Sequence, residues 1–126
     1  MIKSYSKINL FLKVLKKNTN GLHSIQSSVM LLDLCDYINI KSINKKKDKI
    51  KFIGQFKKNI NSKNNSIAKS LSLLRKYRFI SKSKRYEIII DKKIPVFAGL
   101  GGGTSNAVFL VKYFLKKKIN EKILKI

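Results

Sequence analysis

The chain has a single cysteine, Cys35, and a single histidine, His23. An internal disulfide is excluded, and a Cys/His zinc site lacks its ligands. A reducing, cytoplasmic setting fits this thiol usage. The opening Met1-Ile-Lys-Ser-Tyr-Ser-Lys7 does not lead into an apolar stretch with a small-residue cleavage site, so no secretory leader is expected. No uninterrupted apolar run approaches the ~20 residues that cross a bilayer. Tryptophan is absent, and proline occurs once, at Pro95. Carboxylates number only six: Asp33, Asp36, Asp48, Glu87, Asp91 and Glu121. Asp33 and Asp36 fall at a junction between two strand-like runs, where turn or surface positions are expected.

What is abundant is lysine. With 29 Lys and Arg against six carboxylates the formal charge is +23, and a polycation gains affinity for nucleic acid by releasing counterions from phosphates. The lysines, however, are spread from Lys3 to Lys125 among abundant Asn and Ile, a pattern that an A/T-biased coding sequence also produces. Arginine, the better residue for bidentate base and phosphate contacts, occurs only at Arg75, Arg78 and Arg85. Tyr77, Phe79 and Tyr86 lie among those arginines. They offer stacking surfaces for single-stranded bases or, more simply, belong to a solvated helix end and loop. No nucleic-acid partner is expected from charge alone.

At 126 residues the chain is one domain, long enough to bury roughly two thirds of its unfolded surface. Ile8, Leu10 and Leu12 alternate with Asn9, Phe11 and Lys13 in a first strand that reaches about Leu15. Asn20-Gly21 is a turn signal. Apolar runs at Val29 to Leu34, Tyr37 to Ile43 and Ile50 to Phe56 follow, and four strands in succession suggest an antiparallel sheet. Ile67, Leu71 and Leu74 then recur at helical spacing, with Asn65 or Ser66 as the natural N-cap. A last strand, Tyr86 to Asp91, precedes a helix-like run from Asn106 to Lys117 for which Thr104 or Ser105 is the expected cap. A further helical pattern starts at Asn120. The order predicts an α+β fold with helices covering one face of the sheet.

Four of the six glycines stand in Pro95-Val-Phe-Ala-Gly-Leu-Gly-Gly-Gly-Thr-Ser105, between that last strand and the helix. A core needs nothing of the kind. Backbone without Cβ atoms adopts positive φ and lets N–H groups approach an oxyanion, and a helix N-terminus adds the positive end of its dipole. The loop lacks the Gly-Lys-Ser/Thr of a P-loop and the GxGxxG register of a dinucleotide fold. A flexible connector is the plain alternative.

The run Pro95 to Ala107 resembles the second signature of the GHMP small-molecule kinases, whose glycine-rich loop wraps the ATP phosphates ahead of a helix. Ser6-Lys-Ile-Asn-Leu-Phe-Leu12 and Asn20-Gly-Leu-His23 resemble the paired signatures of one branch of that family. That branch phosphorylates a CDP-linked methylerythritol on the non-mevalonate route to isoprenoid precursors. The resemblance implies a ribosomal protein S5 domain 2-like fold, ATP and magnesium as cofactors, and a small-molecule alcohol as substrate. It implies that Lys7 stabilises the transferring phosphoryl group and that Asn9 and His23 contact the substrate. Pro95, Val96, Phe97, Ala98, Gly99, Leu100, Gly101, Gly102, Gly103, Thr104 and Ser105 would form the ATP loop, with Ser105 also available to magnesium and Asn65 and Ser66 near the nucleotide.

Two positions depart from the family pattern. Phe97 stands where glycine is common, and is expected either to pack beneath the loop or to hinder phosphate. Leu22 stands where a tyrosine precedes the histidine. The family's Gly-Ala-Asp segment, which supplies the proton-accepting aspartate, and its second domain have no counterpart in residues 1–126. The expectation is therefore an N-terminal, ATP-binding domain, incomplete at its C-terminus and nearly inactive alone. Two other readings stand beside it: a different GHMP kinase, and a basic nucleic-acid or ribosome-associated module of the same fold.

Overall fold

A computed structural model describes residues 1–58, 60–61 and 65–116. The helical pattern expected from Asn120 onward, with Glu121, lies outside the described residues. The elements are β1 (Ile2–Lys17), β2 (His23–Ile43), β3 (Lys49–Ile53), α1 (Ser66–Lys76), β4 (Arg85–Asp91) and α2 (Gly102–Leu115). They form a mixed four-stranded sheet in the order β1-β2-β4-β3.

The α+β class is as the sequence predicts, but the sheet is not wholly antiparallel. β1 with β2 and β2 with β4 run antiparallel, whereas β3 lies parallel to β4. The cause is α1. A helical crossover between β3 and β4 returns the chain to the end from which it started, so the two strands point the same way. The runs expected as separate strands at Val29 to Leu34 and Tyr37 to Ile43 are one strand, with no turn at Cys35-Asp36. The register instead shifts between Tyr5 and Lys7 of β1, an irregularity that absorbs the mismatch without breaking either strand. The Asn20-Gly21 turn is present, with Gly21 at φ 82°, where a side chain would be strained. β3 ends at Ile53, short of Phe56, because Gly54 at φ 90° turns the backbone against Asp91 and Lys92.

The core lies on one face of the sheet. Ile38, Ile88 and Ile90 meet Ile67, Leu71 and Leu74 of α1 and Leu110 and Leu115 of α2. On α1 the spacing of these residues is the helical periodicity seen in the sequence. Asn65 caps that helix, its side-chain oxygen accepting from the Ala68 N–H at 3.0 Å.

The arginine cluster serves the fold. Arg75 forms a two-pronged pair with Asp48 at 2.6 and 2.8 Å, and Asp48 also accepts the Tyr86 N–H at 2.9 Å. Arg85 donates to backbone carbonyls of Lys46 and Lys84, and Tyr86 packs edge-on against Phe114. Arg75, Arg85 and Tyr86 are thus engaged within the domain, which leaves Tyr77 as the cluster's most exposed aromatic, at 62%. Among the described residues no helix is long and apolar enough to cross a membrane.

Truncating the core and removing the cap should be separable by size. Ile88→Ala, at a fully buried position, should cost about 2–5 kcal/mol, and Asn65→Ala about 1 kcal/mol, as read from urea denaturation midpoints.

Candidate functional site

β4 delivers the chain at Asp91, and α2 receives it at Gly102. Between them the backbone reaches positive φ at Phe97 (61°), Gly99 (73°) and Gly101 (68°). Gly101 is the N-cap of α2, left-handed and without a side-chain hydrogen bond. Thr104 and Ser105 are therefore not caps. A left-handed glycine turns the chain into the helix earlier than a hydroxyl cap would, so both residues fall within the first turn. The Ser105 N–H already makes a helical bond to the Gly101 carbonyl at 2.8 Å. Among the described residues, the N–H groups of Gly102, Gly103 and Thr104 have no acceptor.

The N-terminus of α1 meets that of α2. The Ser66 hydroxyl donates to the Gly103 carbonyl at 3.0 Å. Two positive dipole ends thus converge on one open cavity of about 460 Å³. Its walls include every residue from Pro95 to Thr104, together with Asn65, Ser66, Lys92 and Asn106. Among the described residues no carboxylate lines it.

β1 supports the loop from the other side. The Lys7 N–H donates to the Leu100 carbonyl at 3.0 Å, and the Lys7 stem lies so close to Gly101 that an added Cβ there would sit 3.1 Å from its Cγ and Cε. Asn9 is exposed on the same strand, paired with Val29. His23 is exposed opposite Lys17 at the far end of the β1–β2 ribbon, roughly 30 Å along the strand from Lys7 at about 3.3 Å per residue. The structure therefore gathers the loop, Asn65, Ser66 and Lys7, sets Asn9 beyond them, and does not bring His23 to the cavity. Ser105 is adjacent in the helix but is not part of the cavity wall.

Phe97 does not pack beneath the loop. Its side chain is 94% exposed, at the cavity rim. Leu22 is likewise exposed, and its N–H is held by the Asn20 side chain at 3.1 Å.

Asp36 corrects the surface reading outright. It is fully buried, paired with the buried Lys92, and it also accepts the Asn106 side-chain N–H at 2.9 Å. A signal for this was present. Asp36 precedes the core-facing Ile38 by one period of a strand, and Lys92 continues the alternation of Ile88 and Ile90, so opposite charges stand at matching inward positions.

Residues 65–125 match the family model described as the GHMP kinases N-terminal domain. Over this stretch, just under half of its length, the chain is similar to the GHMP kinases. It is 47% identical over 118 residues to the 4-diphosphocytidyl-2-C-methyl-D-erythritol kinase of Pelagibacter ubique, covering 94% of this chain and 41% of that protein. It is 39% identical over 112 residues to the enzyme of the same name from Finegoldia magna, covering 89% and 39%. The chain thus spans about two fifths of the length of these curated relatives. A solved structure titled as a 4-(cytidine 5'-diphospho)-2C-methyl-D-erythritol kinase shares the fold, with TM-score 0.68 and 21% identity over 98% of this chain and 43% of the other.

Phe97 gives a direct check on the loop geometry. A left-handed conformation costs a non-glycine residue roughly 1–2 kcal/mol, partly offset by the extra chain entropy of glycine, and an exposed ring has no packing to lose. Phe97→Gly should leave the denaturation midpoint unchanged or raise stability by up to about 1 kcal/mol.

Proposed function

We propose that this chain is the N-terminal, ATP-binding domain of a kinase that transfers the γ-phosphate of ATP to the 2-hydroxyl of 4-diphosphocytidyl-2-C-methyl-D-erythritol. The observation that carries the reading is the convergence of two helix N-termini on a glycine loop whose Gly102, Gly103 and Thr104 N–H groups have no acceptor among the described residues. Such a site favours anions, and the loop's exposed glycine backbone admits a phosphate at hydrogen-bond distance. The relatives' names supply the substrate. The cytoplasmic setting belongs to the same reading.

In this scheme Gly101, Gly102 and Gly103 hold the triphosphate through backbone, while Asn65 and Ser66 order the neighbouring helix start. Lys7, anchored to the loop by its own N–H, brings a cation to the side where the acceptor alcohol arrives; a fixed charge there stabilises the transferring group. Asn9, two residues further along β1, continues this wall as a contact for the rest of the substrate, whereas His23, roughly 30 Å along the ribbon from Lys7, stands too far away to share it. For magnesium the described residues at the cavity offer neutral side-chain oxygens, the hydroxyls of Ser66 and Thr104 and the amides of Asn65 and Asn106, with the Ser105 hydroxyl adjacent in α2, and no cluster of three His, Cys, Asp or Glu occurs among them. Phosphate and water oxygens would make up most of its shell, and the ion would neutralise phosphate charge.

Among the described residues no carboxylate lines the cavity, so they supply no general base beside the loop. Turnover by this chain alone should fall about 10²- to 10⁴-fold below that of a full-length relative, in a coupled ADP-release assay with the CDP-linked alcohol.

Binding has its own test. Gly103→Pro deletes one of the free N–H groups while keeping a φ suited to the first helical turn, and a Cβ at Gly103 meets nothing within 4 Å. ATP affinity measured by calorimetry should drop about ten- to hundredfold with the melting temperature little changed, the worth of a hydrogen bond to a charged group. Lys7→Ala should alter it far less. Equal ATP affinity in Gly103→Pro and the parent chain would make the loop a connector and remove the physical support for the kinase reading.

A further inference from the structure

Four donors converge on one buried carboxylate. Oδ1 of Asp36 accepts the backbone N–H groups of Lys93 and Ile94, each at 2.8 Å, and Oδ2 accepts from Asn106 and pairs with the Lys92 ammonium. Asp36 is wholly buried, and Lys92 and Asn106 are each 2% exposed. Lys93 and Ile94 are the last residues before the glycine loop, and Asn106 follows it in α2. Both ends of the loop are therefore fastened to one side chain, which belongs to a different element, β2.

We infer that Asp36 is the positioning residue of the glycine loop: it sets the separation of the loop's two ends and, through Lys92 and Asn106, the height of the α2 N-terminus above the sheet. Residues 97–99 at the tip are exposed and lack packing that could hold their conformation. The loop's geometry is then dictated where it is attached. Besides the Asp36 group, the attachments are the Lys7 bond to Leu100 and the Ser66 bond to Gly103. Lys92 presses upward as well: a Cβ on Gly102 would sit 3.3 Å from its Nζ and 3.0 Å from Ile94 Cγ2, so that α2 starts directly on top of the ion pair. A buried ion pair is a poor way to add stability compared with apolar residues of equal volume, but it fixes direction and spacing in a way that an apolar contact does not.

What the loop holds rests on the ATP reading; the anchoring does not. Hydrogen exchange by mass spectrometry on the full chain separates the two. In Asn106→Ala, which leaves the ion pair and both backbone bonds in place, the peptide covering residues 93–104 should exchange at least ~10-fold faster, while core amides of β2 and β4 keep their rates. Asp36→Asn should act in the same direction and more strongly. If it leaves too little folded protein, Asn106→Ala decides alone. A purely structural role would instead speed all regions together or none. ATP affinity of the folded variants should fall ~10-fold or more, as expected when phosphate donors are displaced. A folded Asn106→Ala protein with parental exchange at residues 93–104 overturns the inference. Should the parent chain bind no ATP, the nucleotide reading fails while the exchange comparison still judges the anchor.

Discussion

A carboxylate taken out of water is among the most expensive things a fold can contain, and the buried Asp36 is the constraint around which this one is arranged. Desolvation costs several kcal/mol per ion unless each lone pair finds a donor. Here two backbone N–H groups, an ammonium and an amide meet that demand. Satisfying it dictates where β4 ends, how the chain turns at Lys93 and Ile94, and at what height α2 begins. Above this fixed base the helix start can dispense with a side-chain cap. Its Gly102, Gly103 and Thr104 N–H groups have no acceptor among the described residues, because the chain is held from beneath instead of by a hydroxyl at its tip.

The features legible in the sequence were those written locally. Asn65 announces its helix because capping needs only a side chain and an N–H three residues on, and Asn20-Gly21 announces a hairpin because a tight turn needs a residue free to take positive φ. The α+β order and the glycine loop ahead of α2 are legible for the same reason. Features set by distant partners are not written in the local pattern. The direction of β3 depends on a crossover that no local pattern encodes. Asp36 looked like a turn residue because Cys35-Asp36 interrupts an apolar run; its burial depends on Lys92, far along the chain, although the matched alternation was there to be counted. Gly101 as cap was hidden among neighbouring glycines, since composition says which residues can adopt left-handed backbone but not which of them does. Of the candidate site residues, the loop, Asn65, Ser66 and Lys7 lie together in the fold, whereas His23 stands at the far end of the ribbon.

The two ends of the domain follow different physical rules. Around the loop, backbone polarity is deliberately left unspent: two helix dipoles point at one cavity, and the lining is made of glycine, small polar residues and a neutralised ion pair. Lys92 brings a cation to the cavity floor, yet Asp36 cancels it, so attraction for an anion comes chiefly from oriented N–H groups. Oriented dipoles act at short range and select for a ligand that fits, which suits a phosphate chain better than a diffuse cationic patch would.

The β1–β2 ribbon obeys the opposite logic. Past the point where β4 joins, both strands have open edges, and Leu10, Leu12, Val14, Ile25 and Leu31 are each more than half exposed. Paired strands with free edges and apolar faces invite copies of themselves. The chain's +23 charge, carried here by Lys13, Lys16 and Lys17, is what opposes that contact. Ionic strength then governs the protein's colloidal state: at about 0.1 M salt repulsion reaches ~10 Å, and near 1 M only ~3 Å. Brine, commonly added to suppress stray association of a lysine-rich protein with polyanions, therefore weakens the charge repulsion between these ribbons.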